Sequence, residues 1–156
     1  MHLKNLTKLA LLVALNVVIA RIFLIPIAFT HGNINLIDTG ITLAALLYGK
    51  RAGLVVGGLS GFLLDLSSGY PQFMLFSLVI HGLEGLLLGK AKDKPFKHQL
   101  PWLLGALLVL VAGYFVANSI LYGLTPATVG LISDLCQGVV GISLGALLTP
   151  RFKKLL

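Results

Sequence analysis

Apolar residues gather in six stretches along the chain, parted by short breaks rich in glycine, proline or charge. They run Leu6 to Ile27, Leu36 to Tyr48, Ala52 to Leu66, Phe73 to Gly89, Pro101 to Tyr122 and Ala127 to Leu148. Long apolar runs without strict alternation predict helices, and a helix needs about 20 such residues to cross an apolar core about 30 Å thick. The second and third runs are shorter, so each is expected to be kinked or lengthened by loop residues, the second from as early as Ile34. The pattern predicts an all-α membrane protein, a six-transmembrane-helix bundle forming one integral membrane domain over residues 1–156.

Composition agrees, since 57% hydrophobic residues, 11% charged residues and a mean hydropathy of +0.98 lie far from the soluble average. A chain of 156 residues holds one compact bundle and no attached soluble domain of ordinary size. The first stretch is longer than a signal-peptide core and lacks a convincing small-residue cleavage site, so a mature helix is expected there. Cys136 is the only cysteine, which excludes disulfides and Cys-cluster metal sites. It is expected to be a small buried thiol, and no metal or cofactor is expected.

Charge sets the orientation. The 12 basic residues are Lys4, Lys8, Arg21, Lys50, Arg51, Lys90, Lys92, Lys94, Lys97, Arg151, Lys153 and Lys154. All except Arg21 fall at the termini or in the second and fourth connections, which share one side when six helices cross. The positive-inside rule makes that side the cytoplasm, with both termini there, in a multi-pass protein of the cell membrane. The net charge of +7 is thus a topology signal that requires no nucleic-acid partner. The outer connections, Ala28 to Asn35, Ser67 to Gln72 and Gly123 to Ala127, carry no Lys or Arg. Tyr70 and Tyr122 suit the outer interface as anchors, and Trp102 and Tyr48 the inner one.

Polar stripes inside the helices carry the chemistry. Ser77, His81 and Glu84 are separated by four and then three residues and share a face of the fourth helix. An intramembrane acid is costly and has to face protein, water or a ligand. Tyr114, Asn118 and Tyr122 repeat at steps of four on the fifth helix, and Gly130, Asp134, Gln137 and Gly141 make a stripe on the sixth. Turned toward one another, these faces form a pocket with aromatic walls and hydrogen-bonding groups, suited to a small polar ring compound. At 1.5 Å per residue, His81 lies roughly 12 Å and Glu84 roughly 16 Å below the outer end of that helix. Glu84 has three options: pairing with a protonated His81, accepting a proton, or meeting a cationic or NH-bearing ligand. The pocket candidates include only Arg21 as a fixed cation, which favours a neutral or weakly basic heterocycle over an anion.

The first three helices read as scaffold. Ala10 and Ala14, and likewise Gly53, Gly57 and Gly61, give small-residue faces for close backbone approach, within the bundle or against a partner. Arg21 continues the Ala10 face and is expected to form a structural ion pair with Asp65, or to pair with Asp38 or a partner subunit. Asp38 is expected to cap the second helix. Two short motifs invite enzyme readings. Gly58-Leu-Ser60-Gly61 matches the Gly-x-Ser-Gly of rhomboid proteases, and with His81 it gives an alternative function as an intramembrane serine hydrolase. Gly85 to Lys90 only loosely resembles a phosphate loop: it ends a helix, and no Ser or Thr follows the lysine, so no ATPase is expected.

Taken together, Ala10-xxx-Ala14, Ile41 to Gly61, Leu64-Asp65-Leu-Ser-Ser-Gly69-Tyr70, Ile80-His-Gly-Leu-Glu84-Gly85, Gly113-Tyr114-Phe115 and Leu121-Tyr122-Gly123 resemble the substrate-binding S component of an energy-coupling factor (ECF) vitamin transporter. The closest likeness is to the hydroxymethylpyrimidine or pyridoxine type; pantothenate, folate and riboflavin types are the alternatives. The resemblance implies a non-enzymatic binding subunit that captures a vitamin-related heterocycle from outside, with the first outer loop as lid. It also implies partners: a membrane-embedded coupling (T) subunit docked on Ala10 and Ala14, and two ATPase subunits. The expected substrate-binding residues are His81, Glu84, Asn118, Tyr114, Tyr122, Asp134, Gln137, Ser77, Tyr70, Gln72 and Asn35.

Overall fold

The computed structural model describes residues 3–27 and 32–155, with side chains from Leu6 onward. It contains α1 (Leu3–Ile22), a hairpin of β1 (Ile25–Ile27) and β2 (Gly32–Ile34), then α2 (Ile37–Tyr48), α3 (Lys50–Ser68), α4 (Met74–Lys90), α5 (Phe96–Tyr122) and α6 (Leu124–Lys153). The first apolar run therefore does not stay helical to Ile27. Pro26 cannot continue a helix, and the isoleucines around it favour extended backbone. The strands pair antiparallel with Ile25 opposite Ile34 and Ile27 opposite Gly32. Residues 28–31 of the predicted outer loop lie outside the described residues.

The short runs resolve in opposite ways. α3 gains loop residues at both ends and reaches 19 residues, closing on Gly69 in the left-handed conformation. α2 stays at 12 residues, about 18 Å at 1.5 Å per residue. Its start is deeply buried, with Ile37, Asp38 and Ile41 all at 0% exposure. α5 begins at Phe96, so Pro101 lies within its second turn, and α6 runs on to Lys153. By length and composition α5 and α6 are apolar enough to cross a membrane. Leu108, Ile120, Ile132 and Leu147 on these two helices are each at least 67% exposed. Apolar surface of this kind belongs against an apolar medium. Cys136 is exposed rather than buried, because it sits on the outer side of α6.

Glycines fix the interior. A Cβ on Gly53 would lie 2.1 Å from the carbonyl oxygen of Gly85, and one on Gly57 would lie 2.1 Å from that of His81. Gly61 backs onto Ser77 and the His81 ring in the same way. The small-residue face of α3 is thus used inside the bundle, against α4, where it sets the positions of Ser77 and His81. Gly141 and Gly145 do the same for α6, with a Cβ 2.6 Å from Asp38 and 2.4 Å from Thr42 respectively. At the basic end, Lys8 stands 5.0 Å from the Tyr48 ring and Lys90 5.0 Å from the Trp102 ring. Lys153 bonds Asp93 at 2.6 Å and holds its carboxyl below the ordinary carboxylate range.

Gly57→Leu should destabilise the bundle by about 3 kcal/mol or more, since backbone has to move to admit the side chain. Thermal unfolding in detergent reads this as a lower midpoint. Gly105→Ala, where a Cβ meets only Leu87 at 3.9 Å, should leave the midpoint unchanged or raise it.

Candidate functional site

A cavity of about 40 Å³ lies between the hairpin and helices α3 to α6. Asn33 and Asn35 close it from the hairpin, Asp65 from α3 and His81 from α4, while Tyr114 and Asn118 face it from α5 and Ser133, Asp134 and Gln137 from α6. The hairpin is pinned in place. The Asn35 backbone N–H donates to Gln137 Oε1 at 2.9 Å, and the Asn35 side chain donates to Asn33 Oδ1 at 2.8 Å. Asn35 Oδ1 in turn accepts the Ile37 N–H at 2.8 Å, so Asn35 serves the first turn of α2.

His81 is the hub of the site. Its Nδ1 lies 2.8 Å from Glu84 Oε2 and 3.3 Å from Asp38 Oδ1. Ionised carboxylates only accept, so facing two of them Nδ1 carries the hydrogen and donates to Glu84. Nε2 meets the Tyr114 hydroxyl at 2.9 Å, and that hydroxyl lies 2.6 Å from Ser77 Oγ. Ser77 bonds the carboxylate of Asp65. Asp38, Glu84 and Ser77 are fully buried, and His81 is 3% exposed. Asp38, His81 and Glu84 also form a donor set close enough to hold a metal ion. A proton on Nδ1 accounts for the 2.8 Å contact without one.

Four of the five acidic residues of the chain, Asp38, Asp65, Glu84 and Asp134, surround or line this space, and among the described residues no Lys or Arg lines it. Buried acceptors are left open here: Glu84 Oε1, both Asp38 carboxylate oxygens, Asn118 Oδ1 and Asp134 Oδ2 have no hydrogen-bond partner among the described residues, the 3.3 Å approach of His81 to Asp38 Oδ1 being a charge contact only. Unmet acceptors in an apolar interior are costly and favour a ligand that brings N–H or O–H groups. Phe73 stands 6.4 Å from Tyr114 and 6.0 Å from Tyr122 between ring centroids, giving the outer side an aromatic wall.

The predicted residues divide into three groups. His81, Asn118, Tyr114, Asp134, Gln137 and Asn35 line the cavity together with Asp65, while Ser77 and Glu84 lie behind that lining and hold His81 and Tyr114. Tyr122, Gln72 and Tyr70 sit apart: Gln72 Nε2 donates to the Tyr122 hydroxyl at 3.0 Å, and Tyr70 packs beside Phe73 and Ile80. The expected Arg21–Asp65 ion pair is not formed. Asp65 takes the Ser77 hydroxyl instead, and Arg21 is exposed on α1, as are Ala10 and Ala14. Asp38 does not cap α2, whose N-cap is Leu36; its carboxylate reaches His81. Ser60 Oγ has no hydrogen-bond partner and both His81 nitrogens are engaged elsewhere, so the serine–base pair needed for hydrolysis is absent among the described residues. Asp38 was the main omission. Its signal is that, of the five acids, only Asp93 falls in a basic connection.

Comparison with known proteins follows the same lines. A family model described as the S component of the ECF-type riboflavin transporter matches residues 1–154. The chain is 41% identical over 156 residues to the thiamine precursor transporter HmpT of Lactococcus lactis subsp. cremoris (strain MG1363), covering 98% of this chain and 90% of that protein. It is 37% identical over 133 residues to an uncharacterised protein of Pyrococcus woesei, covering 83% of this chain and 88% of the relative. The family match spans nearly the whole sequence, and the chain belongs to the S components of ECF-type transporters.

Proposed function

We propose that this S component captures hydroxymethylpyrimidine, or a pyridoxine-like ring, from outside the cell and presents it for ATP-driven import by partner subunits. The observation that carries the reading is the cavity's chemistry: acids, amides, a tyrosine and an imidazole converge there with no Lys or Arg among them. A weakly basic single ring with amino and hydroxyl hydrogens meets those acceptors, whereas an anion such as pantothenate would face carboxylates. The 41% identical relative is a thiamine precursor transporter, which favours the same class. Riboflavin, in the family model's description, is a fused tricyclic compound with a polyol chain. A space of about 40 Å³ would need far more opening for it than for one ring. Entry of either compound requires the β1–β2 hairpin to shift outward, breaking the Asn35–Gln137 bond.

In this reading the ring lies between Tyr114 and α6, with Asp134 and Asn118 accepting its N–H and O–H groups and His81 at the floor. Glu84 and Ser77 fix the floor residues. The bundle crosses the membrane six times with both termini cytoplasmic, the second crossing being made by the hairpin together with short α2. Supporting this, both predicted inner aromatics pair with lysines, Tyr48 with Lys8 and Trp102 with Lys90. Such pairs suit the anionic cytoplasmic interface. The exposed Ala10 and Ala14 form the docking face for a membrane-embedded coupling subunit joined to two ATPase subunits. Arg21 lies one further step along that helix and is open to the same partner.

Calorimetric titration of purified protein with hydroxymethylpyrimidine tests the site. Asp134→Asn and Glu84→Gln should each weaken binding by about 10- to 100-fold, the cost of losing a hydrogen bond to a charged group. Unchanged affinity in both variants would contradict the assignment. Docking is tested separately: Ala10→Trp with Ala14→Trp should abolish uptake in cells while leaving the calorimetric affinity intact. Loss of both together would point to misfolding instead.

A further inference from the structure

Beneath the cavity runs a continuous line of hydrogen bonds through three helices. It starts at Glu84, passes His81 through both ring nitrogens at 2.8 and 2.9 Å, crosses to the Tyr114 hydroxyl and then to Ser77 Oγ at 2.6 Å, and ends on the Asp65 carboxylate. Ser77 does not line the cavity, yet it is fully buried and engaged with Asp65, which does. The direction of the chain is open. In both arrangements below, Glu84 is a carboxylate and His81 Nδ1 carries the hydrogen that it accepts, with Asp38 beside it. The tyrosine and serine hydroxyls each hold one hydrogen and can turn either way.

We propose that Asp65, Ser77, Tyr114 and His81 form a proton relay with two polarities. In the first, Nε2–H donates to Tyr114, the Tyr114 O–H donates to Ser77, and the Ser77 O–H donates to an ionised Asp65. In the second, a protonated Asp65 donates to Ser77, Ser77 donates to Tyr114, and Tyr114 donates to a bare Nε2. Converting the first to the second passes three protons across one bond each: Nε2–H breaks as Tyr114 O–H forms, Tyr114 gives its own hydrogen to Ser77, and Ser77 gives its own to Asp65. No heavy atom needs to change place. An imidazolium–carboxylate pair becomes a neutral imidazole and a neutral acid.

Both ends of the relay line the cavity. The pocket can therefore present either a carboxylate or a neutral acid at Asp65, with the matching charge at His81. This deepens the substrate reading above and rests on it: a weakly basic ring that arrives protonated meets an ionised Asp65, and one that arrives neutral meets the uncharged pair. The groups around His81 come from every helix packed on this region, with Asp38 on α2, Asp65 on α3, Glu84 on α4, Tyr114 on α5 and Asp134 on α6. Among the described residues these acids share one imidazole, and passing a proton along the relay removes two separated charges from a site out of water without altering the net charge. Ser77 and Asp65 thus act as positioning residues for the charge on His81, reaching its ring only through the Tyr114 hydroxyl.

The test is nitrogen NMR on the full chain in detergent, labelled at histidine and free of ligand, reading the hydrogen on His81 Nε2 at fixed neutral pH. Ser77→Ala removes a hydroxyl that neither touches His81 nor bears charge. It leaves the Tyr114 hydrogen free to donate to Nε2, so the ratio of protonated to bare Nε2 should fall by about three- to tenfold, the equivalent of one hydrogen bond. Asp65→Asn should move it the same way, and Ser77→Thr should restore the wild-type signal. If Ser77→Ala does not fold, Asp65→Asn carries the same decision. An Nε2 signal identical to wild type in the folded variant would overturn the relay. Because no ligand is present, failure to bind hydroxymethylpyrimidine overturns the substrate reading and leaves this result standing.

Discussion

The cavity and the helices around it are arranged around one constraint: among the described residues, four carboxyl groups share the interior with one imidazole. Carboxylates cannot be left uncompensated in such a place, and a lysine or arginine would remove the reason to bind a basic ligand. His81 resolves part of the conflict by giving Nδ1–H to Glu84 while its ring stands 3.3 Å from Asp38 Oδ1. Tyr114 and Ser77 carry hydrogen bonding on from Nε2 to Asp65. Asp134 and Asn118 keep an acceptor open toward the cavity. In the proposed binding mode, a ring with N–H and O–H groups supplies the missing donors.

Close backbone contact makes the arrangement possible. His81 reaches Asp38 only because Gly57 and Gly61 let α3 press against α4, and because Gly141 lets α2 press against α6. α2 is a half-length helix whose N-terminus is buried beside the cluster, which carries Asp38 in its first turn to within 3.3 Å of His81. The hairpin leads the chain from the end of α1 to that buried start, and Asn35 joins the two by bonding both Gln137 and the first turn of α2. Movement of the hairpin is thereby linked to the floor of the pocket.

Much of this was legible in the sequence, for reasons that differ by element. α4, α5 and α6 are long and periodic, so the stripes Ser77–His81–Glu84, Tyr114–Asn118 and Asp134–Gln137 could be placed on facing sides from spacing alone. The hairpin was not legible, because Ile25 and Ile27 extend an apolar run and only Pro26 interrupts it. Tyr122, Gln72 and Tyr70 were placed in the site by their position at the outer end, yet they bond or pack beside the cavity. Asp38 and Arg21 failed together. An acid at a helix start reads locally as a cap, and a lone arginine reads as its partner, but only the tertiary approach of α2 to α4 decides where the carboxylate goes. Gly53, Gly57 and Gly61 were recognised as a contact face without a partner being fixed, since small residues specify closeness and not identity.

The central claim is that an acid-lined cavity without a fixed cation selects a weakly basic single ring. Native mass spectrometry of the protein purified from cells tests it directly, because a tightly held ligand survives into the gas phase. The account predicts a retained mass equal to hydroxymethylpyrimidine or a pyridoxine-like ring, lost when Asp134 is replaced by Asn. Retention of riboflavin or of an anion such as pantothenate would contradict it.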